Sequence, residues 1–125
     1  GALDGDRLDH TIANLQTLAF LSDHGATGYL IGLRYIATAL REGTLRFSPD
    51  ATGILSVFCL GKDAGKVCLR GLKYPLENGT LTGSFPLGVS NHFIGEAATV
   101  SVGEGILTLL YDTVNGFPAS EDETC

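Results

Sequence analysis

Leu3–Leu18 carries the densest group of reactive side chains in the chain. Arg7, Asp9 and His10 stand within four residues, flanked by Asp4 and Asp6 and followed one helical turn later by Asn14. A guanidinium stays charged and its planar fork matches phosphate oxygens, so Arg7 suits a phosphate-bearing ligand. Asp9 suits a hydroxyl nucleophile, a metal-bound water or a positioning contact. His10 can contact a substrate, or bond the turn backbone and hold Asp9 in place; the second weighs more. The plain structural alternative is an N-cap aspartate beside a surface salt bridge, and periodicity alone favours it.

These groups sit at the start of a helix. Leu8, Ile12, Leu15 and Ala19 recur at i, i+4, i+7 and i+11, one helical face. Asp6 or Asp9 serves as N-cap and Gly25 as stop, which predicts a helix over about residues 9–23. Its apolar stripe must be covered by the rest of the chain or by a partner layer.

After Thr27 the period changes to that of strands. Tyr29–Ile31, Tyr35–Arg41, Leu45–Phe47, Ile54–Leu60, Lys66–Leu72, Thr80–Thr82, Ala97–Val102 and Ile106–Tyr111 read as short strands between turn signals. Gly61–Gly65 and Gly103-Glu104-Gly105 read as hairpin connections, Tyr74–Gly79 as a turn and Phe85–Phe93 as an irregular loop. Residues 115–125 lose periodicity and are expected to be mobile. With 17 glycines in 125 residues, the chain is rich in turns. The expected fold is mainly β: an antiparallel, jelly-roll-like β-sandwich preceded by one α-helix.

Bulk properties narrow the function. A net charge of −6 without any Lys/Arg cluster argues against nucleic-acid binding. No run of ~20 apolar residues is present, so no membrane span is expected. Three cysteines, Cys59, Cys68 and Cys125, form no close pair. That argues against a disulfide framework and a structural zinc site, and for a reducing, cytoplasmic setting. Cys59 and Cys68 lie in apolar runs and read as buried small hydrophobes. Ser90 and Asn91 interrupt apolar residues ahead of Phe93; they either brace their own turn or present donors and acceptors to a heteroaromatic ring. On the residues alone the turn is favoured.

Three segments together carry a resemblance. Gly5-Asp6-Arg7-Leu8-Asp9-His10-Thr11-Ile12-Ala13-Asn14 resembles the Gly-Gly-Arg-x-Asp-His-x-x-x-Asn motif of thiamine pyrophosphokinases. Gly71-Leu72-Lys73-Tyr74-Pro75-Leu76 and Gly88-Val89-Ser90-Asn91-His92-Phe93-Ile94-Gly95 resemble two further family segments, in the same order and at similar spacing. Asp6 stands where the family has a second glycine, which alters the turn that aims Arg7.

The resemblance implies the C-terminal part of such an enzyme. Residues 1–32 would be the last helix and strand of an α/β catalytic domain, 33–113 the thiamine-binding sandwich and 114–125 a tail. It also implies a homodimer that uses ATP and Mg²⁺, with most metal ligands in the α/β domain. Arg7 and Asp9 would be catalytic, and Ser90, Asn91 and His10 substrate-binding. Alone, this portion is not expected to turn over. The alternative is a non-catalytic sandwich that dimerises or binds a small ligand.

Overall fold

The computed structural model describes residues 25–59, 62–82 and 89–125. The helix expected over residues 9–23 lies outside them, as do Arg7, Asp9 and His10.

Among the described residues the chain forms eight antiparallel strands: β1 (Gly25–Ile31), β2 (Tyr35–Phe47), β3 (Ile54–Phe58), β4 (Ala64–Arg70), β5 (Leu76–Leu81), β6 (Val89–His92), β7 (Ala98–Asp112) and β8 (Ala119–Glu121). β2 and β7 are long and pair along their whole length. Everything else attaches to this ribbon. β1 and β8 lie end to end along the free edge of β2. β3 and β4 lie end to end along the free edge of β7, and carry β6 and β5 outward. Residues 25–31 therefore belong to the same sheet as the sandwich.

The ribbon bends in its middle. Pairing passes from Arg41↔Ile106 to Gly43↔Val102, so Glu42 alone stands opposite Gly103-Glu104-Gly105. Glu42 (φ 47°) and Gly105 (φ 91°) both take left-handed backbone, the mark of a bulge that turns the strand. Gly103–Gly105 is thus a bulge inside one strand rather than the expected hairpin. Tyr35–Arg41 and Leu45–Phe47 are likewise one strand.

The bulge also changes which residues face inward. In β2 the buried large side chains are Ile36 and Leu40 before it, Leu45 and Phe47 after it. In β7 they are Val100 and Val102, then Leu107, Leu109 and Tyr111. Each strand shifts its alternation by one residue, so both halves turn their apolar side chains to one core. That core also takes Leu55 and Val57 from β3 and Val67 and Leu69 from β4. The result is a β-sandwich made by folding one sheet across itself.

The expected hairpin at Gly61–Gly65 is not formed, because β3 and β4 pair with different segments of β7. Leu76–Leu81 is a strand despite its turn residues; Asn78 (φ 50°) accommodates them in a β4–β5 pairing with register shifts. Val89–His92 is a strand rather than part of a loop.

The final segment is also ordered by contacts. β8 pairs with Thr44–Arg46, and a disulfide joins Cys125 to Cys68 across 57 residues. This corrects the reading of Cys68 as a plain buried hydrophobe and of residues 115–125 as loose. Cys59 is a buried free thiol whose pKa is raised, chiefly by desolvation.

Among the described residues one core group is unmatched. The Tyr111 hydroxyl is buried with no hydrogen-bond partner, while its ring packs edge-on against Phe47 at 5.1 Å. Desolvation, with a smaller contribution from Tyr29, raises its pKa and keeps the phenol neutral. Tyr111→Phe keeps the ring and deletes the orphan, so it is expected to stabilise the fold by about 1 kcal/mol, read as a higher denaturant midpoint at unchanged m.

Candidate functional site

Strand β6 carries the sequence-predicted residues of the second half, Ser90 and Asn91. In β6, Ser90 pairs with Ser56 and His92 with Ile54 of β3. Strand alternation sends Ser90 and His92 to one face and Asn91 to the other. Ser90 is exposed and His92 half-buried, whereas Asn91 is fully buried. Across the sheet from Ser90 run Ser56, Leu110 and Ala37, one on each successive strand.

Asn91 is occupied by its own protein. Its Nδ2 donates to the Tyr74 carbonyl at 2.7 Å, and its Oδ1 accepts from the Tyr74 N–H at 2.9 Å and the His92 N–H at 3.0 Å. The side-chain amide thus serves Tyr74 as a neighbouring strand's peptide would. Among the described residues this uses one of the two N–H donors of the amide. Next to it, the Lys73 N–H donates to the His92 carbonyl and Leu72 bridges to Phe93. The Phe93 N–H donates to the Gly53 carbonyl at 3.0 Å.

Three segments, 52–53, 72–74 and 90–93, are therefore locked at one end of the sandwich. They present Tyr74, 52% exposed, and Lys73 holds its Nζ 5.3 Å from the tyrosine ring's centroid. A cation over an exposed aromatic face is a modest attraction, about 0.5–1 kcal/mol, but it orders both side chains. Phe93 faces the core instead, its ring tilted against Phe47 with centroids 5.2 Å apart. The bracketing role of Asn91 has a sequence signal only in hindsight: an amide between strand residues whose polar neighbours point outward.

Among the described residues the one bidentate ion pair lies elsewhere. Arg70 holds Glu77 through two bonds of 2.8 and 2.9 Å, tying β4 to β5. The hydrogen bond from Arg70 keeps the Glu77 carboxyl below the usual range. Among the described residues no group of three His, Cys, Asp or Glu side chains converges to hold a metal. No described residue is therefore assigned to Mg²⁺, and no described helix is long and apolar enough to cross a membrane.

The fold and loop cluster define a small antiparallel sandwich whose sheet end displays a serine, an aromatic ring and an amine. Residues 42–107 match the family model described as thiamin pyrophosphokinase, vitamin B1 binding domain, and the chain belongs to that family. Solved structures agree. The chain is similar to a thiamin pyrophosphokinase of Geobacillus thermodenitrificans (TM-score 0.72, 26% identity, 87% of this chain and 50% of that one). It is similar to a thiamine pyrophosphokinase of Bacillus subtilis (0.71, 25%, 88% and 52%). A family protein of Enterococcus faecalis gives 0.62 and 26%, over 90% of this chain and 53% of its own. The chain thus spans about half the length of these solved relatives. No curated protein matches it.

Proposed function

We propose that this chain is the thiamine-binding part of a thiamine pyrophosphokinase. The observation that carries the reading is the family match over residues 42–107, which spans the locked Tyr74–Asn91 bracket and ends short of the strand end at Asp112. In that reading Ser90 contacts thiamine from the exposed face of β6. Asn91 acts on the ligand through the loop it holds.

In the complete enzyme the thiamine hydroxyl oxygen attacks the β-phosphorus of ATP. The bond from that phosphorus to the α,β-bridging oxygen breaks, and AMP leaves with thiamine diphosphate as the other product. Bound Mg²⁺ would neutralise charge on the nucleotide phosphates. Arg7 pairs with the transferred phosphoryl oxygens, Asp9 positions the hydroxyl and accepts its proton, and His10 steadies that turn or touches substrate. The enzyme works as a cytoplasmic homodimer, and the α/β half supplies the acidic nucleotide site.

Calorimetric titration with thiamine tests the site. The chain is expected to bind saturably, and Ser90→Ala to weaken binding about fivefold, the worth of one hydrogen bond near 1 kcal/mol. Equal binding by both proteins would favour a sandwich that dimerises and binds ligand incidentally.

A further inference from the structure

The disulfide and the strand next to it include none of the residues assigned to thiamine above. They lie on the opposite half of the sandwich, over the outer face formed by β4, the first part of β7 and the second part of β2. There a polar row crosses the sheet: Cys68 pairs with Ser101, Ser101 with Thr44, and Thr44 with Glu121. The Thr44 and Ser101 hydroxyls lie 2.6 Å apart, and the Thr44 Oγ1 also meets the Glu123 carbonyl at 2.6 Å. Although they face away from the core, Cys68, Ser101 and Thr44 are only 2%, 4% and 6% exposed. Residues 121–125 run over this row to reach Cys68.

Little besides the disulfide holds that segment down. The last buried residue is Tyr111; no residue of 119–125 is buried, and Cys125 itself is exposed. Among the described residues the other ties include three residues of β8 pairing, packing of β8 against β1, the Thr44–Glu123 hydrogen bond and the Arg46–Glu121 ion pair. That ion pair is exposed at both ends and adds little. The face beneath carries Cys68, Ser101 and Thr44, so wetting it uncovers no large apolar core side chain.

We propose that Cys68–Cys125 is a reversible redox latch: oxidised, it straps residues 119–125 over the Cys68–Ser101–Thr44 row; reduced, it releases them and frees the edge of β2 along residues 44–46. The exposed Cys125 thiolate attacks a small-molecule disulfide of the glutathione type, forming a mixed disulfide and expelling one thiol. The Cys68 thiolate then attacks the Cys125 sulfur and expels the second. Two protein thiols are oxidised, one reagent disulfide is reduced to two thiols, and the protons pass to those thiols. The Asn78 N–H lies 3.4 Å from the Cys68 sulfur and stabilises it as a thiolate in either direction.

The test is hydrogen exchange with mass spectrometry on the intact chain, in oxidised and reduced glutathione buffers, with Cys125→Ser as a mimic of the open state. Alkylation mapping reports which thiols are free. In oxidised buffer Cys68 and Cys125 are expected to resist alkylation. Reduction, or Cys125→Ser, is expected to speed exchange at residues 119–125 at least about tenfold and to open cleavage after Glu121 by a glutamate-specific protease. Exchange in β7 and the thermal midpoint of the serine variant stay near those of the reduced protein. The latch is overturned if the strap stays protected after reduction. It is equally overturned if β7 loses protection together with the strap, or if both thiols remain free in oxidised buffer. Thiamine binding enters none of these readouts.

Discussion

Asn91→Ala is expected to lower stability by about 3 kcal/mol and to disorder the loop that carries Tyr74. The reasoning is a count of stranded groups. Asn91 is fully buried and meets both the N–H and the carbonyl of Tyr74 as well as the His92 N–H. Alanine removes the three bonds at once, each worth about 1 kcal/mol net and more where the remaining partner cannot reach water. Equilibrium urea unfolding gives the stability; hydrogen exchange at Lys73 and Tyr74 reports the loop. Asn91→Asp separates hydrogen bonding from packing. It keeps the shape and both bonds accepted by Oδ1, but sets a second oxygen against the Tyr74 carbonyl, where the amide donated at 2.7 Å. The ionised form is destabilised in the folded protein, so the aspartate's pKa there rises above its unfolded value. The penalty is therefore absent below the unfolded pKa, about 3.9, and grows as pH rises through the folded one. A difference between Asn91→Asp and wild type that does not shrink on acidification would overturn the bracket as the reason for the buried amide.

The same residue shows how far the sequence could be read. Ser90 and Asn91 were legible as a polar pair inside apolar neighbours, and strand alternation then separates their roles: one faces solvent, the other builds the loop. The sandwich was legible for a similar reason. Val100 and Val102 alternate, Leu107, Leu109 and Tyr111 alternate, and the step between them falls out of phase by one. Two short strands and one bulged strand produce the same pattern, and only the partner opposite decides between them. That partner is β2, more than fifty residues away, with Glu42 supplying its half of the bulge. Local periodicity carries no record of it. The false hairpin at Gly61–Gly65 has the same origin, since the edge of β7 has room for both β3 and β4 and takes each separately. Cys68 and Cys125 were illegible as a pair because one sits in an apolar strand and the other after an acidic run. What joins them is the path of β8, set by an edge of β2 that no nearby residue announces.

Gly71→Ala is expected to cost about 4 kcal/mol, against about 1 kcal/mol for the same change at Gly95. Both glycines take left-handed backbone, φ 70° and 81°, so both substitutions strain the chain alike. Their surroundings differ. A Cβ on Gly95 meets nothing within 4 Å, whereas one on Gly71 runs into the Ala97 carbonyl oxygen and sits 3.0 Å from its carbonyl carbon. Backbone cannot swing aside as a long side chain can, so strand β7 or the chain at Gly71 must shift. That shift travels to the site. Leu72 bridges to Phe93, Lys73 donates to His92, and Tyr74 sits in the grip of Asn91. The expected signature is accordingly twofold: a lower urea midpoint than the Gly95→Ala protein, and faster exchange at residues 72–74 in the fraction that remains folded. Equal midpoints for the two variants would mean that the Gly71–Ala97 approach relaxes without cost, leaving only the left-handed backbone to explain the glycine.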